Sequence, residues 1–311
     1  MHTGFLTIYW RDMLKFVRSR PLLFASLVQP ALWLAFFGIA MSSNFDRLTA
    51  TLPAIPGVRT VGYLTFIGAG IIAMTTLFTS LFGGTVLLFD KHWGLMRETL
   101  SSPIPRIHII IGIGLSGMTK SFIQAAVIMV FGLLLGVQFF EGYTLAQILV
   151  SLLGIMLFIG AFSLGFLFLS SAIAITMESP EGMQAVTTLL TMPFFFTSNA
   201  LYPANSFPPV LRAMSTLNPL THLVTGIRYF SIGSNFSSIG VRYTYTQGEV
   251  LVSFLFLLAF AGIMFLIARW RFSKVTVTRF TYSKTELCAP IFRIQSLLAS
   301  KIGLLVFRLD T

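Results

Sequence analysis

The chain carries one cysteine, Cys288, in 311 residues, so no intrachain disulfide staples it, and no Cys/His spacing suited to a structural metal is present. Charge is scarce as well. Charged residues make up 10% of the sequence against 55% hydrophobic residues, where a soluble domain has roughly 25% charged residues. That scarcity excludes a soluble fold. Chemical motifs are missing too. There is no G-x-x-x-x-G-K-[ST] phosphate loop, which excludes ATP binding of that kind. The histidines at 2, 92, 108 and 222 are scattered, and no H-E-x-x-H pair exists to hold zinc. His222 reads as an interfacial or packing residue. No catalytic constellation is visible, so neither enzymatic activity nor a resident cofactor is expected of this chain.

What charge there is leans one way, with 21 lysines and arginines against 10 acids and a formal charge of +11. The bases sit at the chain ends and in short stretches between apolar runs. Membrane topology explains that distribution, and nucleic acid is not expected as a partner.

A membrane helix needs about 20 apolar residues at 1.5 Å each to cross roughly 30 Å of hydrocarbon. Six runs qualify, at about 22–41, 62–89, 117–140, 146–176, 182–202 and 250–270. Four bases lie in the first 21 residues, three in 90–106 and eight from Arg269 onward, against five in the opposite loops. This bias predicts that both termini face the cytosol. Residues 1–272 read as one transmembrane domain and 273–311 as a basic cytosolic tail.

The first helix, 4–20, is amphipathic. Leu6, Tyr9, Trp10, Met13, Leu14 and Val17 recur at helical spacing, with Arg11, Lys15 and Arg18 opposite. It is expected to lie in the membrane interface with its bases toward anionic head groups, or simply to orient the first span. Pro21 would end it. Lys120 is the one strong base inside an apolar run. If 107–116 is a separate interfacial piece, broken at Gly112, Gly114 and Gly117, Lys120 snorkels to the surface. If not, it lies deep and marks a substrate or ion pathway.

Two segments are unusual. Residues 90–106 mix both charge signs with Trp93, Leu95, Met96 and Leu100, which suits a short amphipathic helix docking into a groove on a partner, or a solvated turn resting on the bilayer. Residues 192–233 are apolar but interrupted by Pro193, Pro203, Pro208 and Pro209, and restart at Asn218-Pro219. Proline removes a backbone donor. In hydrocarbon each unpaired group costs on the order of several kcal/mol, so the break must be shielded by protein or water. Asn218 before Pro219 is an N-cap followed by a good first helical residue, which predicts a short re-entrant or interfacial helix to about Gly233.

The order of these residues resembles the permease subunits of ABC type 2 exporters. The matching features are Ser179-Pro180-Glu181, Pro193, Ser198-Asn199-Ala200-Leu201-Tyr202-Pro203, Pro208-Pro209, Asn218-Pro219-Leu220-Thr221 and Arg228. Family members usually have glycine where this chain has Asn199. The resemblance implies an all-α polytopic protein of six transmembrane helices with an N-terminal interfacial helix and a broken element after the fifth. It implies a permease in a cell (inner) membrane that forms a substrate pathway with a second permease, as homodimer or heterodimer. ATP and Mg would be bound by a separate ABC ATPase subunit. The ATPase contacts would be Trp93, Leu95, Arg97 and Glu98, with Glu181 in a second contact. The outer gate would comprise Pro193, Ser198, Pro203, Asn218, Pro219 and Arg228. The family's substrates are small molecules, lipids or polysaccharide-linked compounds. The alternative from another class is a stand-alone proton-coupled secondary transporter or channel with Lys120, Glu178 and Glu181 as its relay.

Overall fold

The computed structural model describes residues 4–50, 57–102, 104–203, 205 and 207–274. All but the first two residues of the basic tail 273–311 therefore lie outside the described residues. The protein is helical, as expected of an all-α membrane protein. Its elements are α1 (Gly4–Arg18), α2 (Arg20–Leu32), a π-helical segment (Trp33–Gly38), α3 (Ile39–Ala50), α4 (Tyr63–His92), α5 (Leu95–Ser101), α6 (Arg106–Leu134), α7 (Leu145–Thr176), α8 (Pro180–Phe196), α9 (Pro209–Leu217), α10 (Pro219–Ser231) and α11 (Gln247–Ser273).

Among the described residues, five helical stretches are long and apolar enough to cross a membrane: Leu23–Arg47, Tyr63–His92, Arg106–Leu134, Leu145–Thr176 and Gln247–Ser273. The sixth expected span, 182–202, is shorter than its apolar run. Helix α8 has 17 residues, about 25 Å at 1.5 Å each and at the lower limit for a crossing. The chain leaves the helix at Thr197, so the remaining apolar residues form an irregular segment packed on protein.

Three other expectations are corrected. The N-terminal helix stops at Arg18, and Pro21 begins the next helix instead of only ending the first, since its missing N–H is no loss in a first turn. The first span is not uniformly α-helical. Pro30 lies inside it and the π-helical turn follows three residues later, a common answer to a lost i→i−4 bond. The third span has no break at Gly112, Gly114 or Gly117, because α6 is continuous for 29 residues. Its glycines serve close approach. A Cβ on Gly112 would meet the Phe5 carbonyl at 2.8 Å and Ile8 Cβ at 2.9 Å, which is where α1 crosses α6.

Helix α7 is central and packs most extensively on α4 and α11. The main core lies between α4, α7 and α10, around Phe66, Ile67, Phe162, Phe166, Leu223 and Ile227. A second cluster, with Ile8, Leu88, Met96, Ile110, Ala174 and Phe272, seals the end of the bundle where α1 and α5 sit. A small sheet that the sequence did not suggest covers the other end. Strand β1 (Arg59–Thr60) pairs parallel with β2 (Asn235–Ser238), which pairs antiparallel with β3 (Val241–Thr244). The register puts Phe236 opposite Tyr243, and the two rings stack at 5.2 Å. At α11 the sequence supplies Thr246 and Glu249, a reciprocal capping box that starts the last span.

Candidate functional site

The end of the bundle that carries α5 is held by charges. Helix α4 runs past its last apolar turn to Asp90-Lys91-His92, and Gly94, at φ 80°, makes the reversal that lets α5 begin. That left-handed backbone is available to glycine at no steric cost. The Asp90 side chain is 3% exposed and accepts from Arg11 Nη2 at 2.5 Å and from Lys15 Nζ at 2.6 Å. Next to it, Lys91 Nζ donates to the carbonyls of Ile175 at 3.0 Å and Met177 at 2.6 Å, at the C-terminal end of α7. Arg106, opening α6, donates to the carbonyls of Phe272 and Ser273 at 3.1 and 3.0 Å. Cations at helix C-termini meet both the orphan carbonyls and the negative end of the dipole.

On this scaffold α5 turns Met96 into the second core cluster while leaving Glu98 exposed. Leu95 is half-buried and Trp93 is 67% exposed, stacked on Phe89 at 5.3 Å. The Arg97 backbone lies within α5; its side chain is outside the described residues. The neighbouring turn between α7 and α8 presents Glu178 and Glu181, both exposed. Ser179 caps α8 through its hydroxyl, which accepts from Gly182 N at 3.0 Å, with Pro180 at the first helical position. The residues of the two expected partner contacts share one end of the molecule.

Two of the three bases of α1 also have a partner within the protein: Arg11 and Lys15, each about one-third exposed, pair with Asp90, while Arg18 is exposed. Asp12, which sequence reasoning missed, is buried and bonded to Ser116 and to Lys120 Nζ, the latter at 2.6 Å. Lys120 is thus buried and engaged within the protein. Its ammonium pairs with a carboxylate, and the Phe16 ring lies 5.6 Å away. Leu6, Trp10 and Val17 remain exposed, on the apolar side that the periodicity indicated.

At the opposite end the expected outer-gate residues converge. Asn218 is the joint. Its Oδ1 accepts from Leu220 N at 2.9 Å, capping α10, while its Nδ2 donates to the Phe194 carbonyl at 2.6 Å and to Thr197 Oγ1 at 2.9 Å. One side chain thereby ties the end of α8 to the α9–α10 corner. The Pro193 carbonyl receives both the Thr197 N–H and its hydroxyl, at 3.0 and 2.7 Å; Pro193 itself is exposed. Ser198, Asn199, Ala200, Leu201 and Pro203 are buried, as the need to shield an irregular backbone predicts. Among the described residues, the non-glycine positions with positive φ are Phe140 and Ile239, so the turn at Asn199 needs no glycine.

Arg228 on α10 is fully buried. Its Nη2 donates to the carbonyls of Asn199 at 2.9 Å, Ala200 at 3.2 Å and Phe66 at 3.4 Å, and the guanidinium lies 3.6 Å over the Phe66 ring. Among the described residues no carboxylate forms an ion pair with it. Tyr243 and Tyr245 lie nearby; burial raises both hydroxyls above the ordinary tyrosine value, with Arg228 pulling the other way. The carbonyls at Nη2 and the Phe66 ring face thus offset part of the cost of burying the cation. His222 joins α10 to its neighbours, with Nε2 at 3.0 Å from the Thr216 carbonyl, Nδ1 at 3.1 Å from Ser253 Oγ and its ring 4.2 Å from Phe256.

Comparison with known proteins places the chain among transport permeases. The family described as ABC-2 type transporter matches residues 3–231. The transport permease ycf38 of Porphyra purpurea is 29% identical over 254 residues, covering 79% of this chain and 82% of that protein. Its counterpart in Cyanophora paradoxa is 29% identical over 255 residues, covering 81% and 83%. The daunorubicin resistance ABC transporter permease protein DrrB1 of Streptomyces coeruleorubidus is 23% identical over 248 residues, covering 79% and 82%. The match takes in α1, the α5 corner, the α7–α8 turn and the α8–α10 element, and the chain belongs to the ABC-2 type transporter family, as a multi-pass membrane permease.

Proposed function

We propose that the chain is the membrane-spanning subunit of an ATP-driven exporter. It lies in a cell (inner) membrane with both termini in the cytosol. A separate ABC ATPase subunit binds and hydrolyses ATP with Mg and docks on Trp93, Leu95, Arg97 and Glu98 of the α5 corner, with Glu181 in a second contact. A second permease completes the pathway, and the residues from Ser198 to Asn218 close its outer end. The observation that carries this reading is α5 itself, a short amphipathic helix with Met96 buried and Trp93 and Glu98 exposed beside the α7–α8 turn. An exposed aromatic flanked by charges is an economical protein anchor.

The pairing of Lys120 with Asp12 gives this lysine a structural partner and so favours the exporter reading over a stand-alone transporter that uses Lys120 as its relay. One relative is a daunorubicin resistance permease, which supports a small molecule as cargo. Affinity purification of the tagged chain in mild detergent, with mass analysis and an ATPase assay, tests the proposal. Recovery of a phosphate-loop ATPase that is lost in the Trp93→Ala/Arg97→Ala variant supports it. Repeated purification of an active transporter without an ATPase overturns it.

A further inference from the structure

Asp90 and Lys91 are consecutive in the last turn of α4, so their side chains leave the helix about 100° apart. The acid holds α1 through Arg11 and Lys15, and the base holds the end of α7 through the Ile175 and Met177 carbonyls. Met177 is the residue at which α7 stops, and Glu178 and the α8 cap follow directly. Three residues beyond Lys91, Gly94 starts the reversal into α5. The two surfaces assigned above to the ATPase are therefore joined by one side chain, not by a hinge that would let them move apart.

We propose that Lys91 is a positioning residue that makes α5 and the α7–α8 turn one rigid coupling unit, so that displacement of α5 by the ATPase is delivered to α7 and α8 together. The inference rests on the exporter reading only for the source of the displacement. The ammonium suits the task because its three donors serve two carbonyls at the negative end of a 32-residue helix. Both bonds are part-buried, and Met96 of α5 is packed in the same cluster as Ala174 and Met183, on either side of the turn. Apolar packing holds the parts in contact, and the charged tie fixes their register.

The test uses the full chain with its co-purified ATPase, with Cys288→Ser and spin labels at Ser101 of α5 and Glu178 of the turn, both exposed. The distance between the labels is measured without nucleotide and with ATP trapped, in the parent chain and in the Lys91→Met, Lys91→Gln and Lys91→Arg variants. A narrow distance that is the same in both states of the parent and of Lys91→Arg, but broadens and shifts with ATP in Lys91→Met and Lys91→Gln, supports the proposal. An unchanged narrow distance in the folded Gln or Met variant overturns it, as does a parent distance that shifts with ATP. A merely structural lysine would lower yield without producing a nucleotide-dependent shift. If the parent chain brings down no ATPase, the exporter reading fails, while the nucleotide-free comparison of parent and variants still decides whether Lys91 holds the two surfaces together.

Discussion

Lys120 of α6 donates to Asp12 of α1 at 2.6 Å, and both side chains are buried, at 10% and 4% exposure. The pair fastens an amphipathic helix, which periodicity alone would float on the bilayer, to the middle of α6. Breaking one half of a buried pair leaves a bare charge and costs about 3–5 kcal/mol, whereas replacing both halves by apolar groups is often neutral. Lys120→Met and Asp12→Leu are each expected to lower the unfolding temperature in detergent strongly, and the double variant to recover most of the loss. Additive losses in the double variant would contradict the pairing.

Asn218 performs two separable jobs, and two substitutions divide them. Asn218→Asp keeps the oxygen that caps α10 but loses the donor to Phe194 and Thr197, while Asn218→Ala loses both. The alanine variant should lose about 1 kcal/mol for the cap and about 1–3 kcal/mol for the abandoned buried carbonyl. Thermal stability should therefore fall in the order parent, Asp, Ala. In transport assays both variants, and Pro203→Ala, are expected to insert normally and export poorly.

Arg228→Lys is not a conservative change here. A lysine keeps the charge but ends one bond short of the Nη2 that serves all three carbonyls, and it lacks the planar guanidinium that lies over Phe66. Arg228→Lys should be destabilised nearly as much as Arg228→Met, by roughly 2–4 kcal/mol from several buried acceptors at about 1–3 kcal/mol each. Near-parental stability of the lysine variant would show that charge alone suffices.

Gly70 and Gly262 form a matched contrast. A methyl on Gly70 of α4 would overlap the Ala200 carbonyl of the buried outer segment, while one on Gly262 of α11 would meet nothing within 4 Å. Gly70→Ala should cost about 1–3 kcal/mol through overpacking, and Gly262→Ala should leave stability and insertion unchanged. Melting curves of the two variants, purified side by side, check this.

Much of the architecture was legible because it is local. The Asn218-Pro219 cap, the apolar runs and the α1 periodicity are each written within a few residues. The charged ties were not legible, since Asp12 meets Lys120 across 108 positions and Arg11 meets Asp90 across 79. Arg228 was singled out by resemblance, but its burial against carbonyls depends on how α4, α8 and α10 come together. The sheet was hidden for the same reason, because a two-residue strand at 59–60 is defined only by its distant partner at 236–237. Glycines misled most. Gly112, Gly114 and Gly117 look like a break in sequence, yet α6 is continuous and spends them on close contacts with α1 and α7.

Photo-crosslinking from single positions in intact cells tests the central claim most directly. A photoreactive residue replacing Trp93 should capture a phosphate-loop ATPase, and one replacing Leu189, exposed on the apolar face of α8, should not. An ATPase adduct at 93 alone is the predicted result. Adducts at neither position, or equally at both, would contradict the assignment of α5 as the surface through which ATP drives this permease.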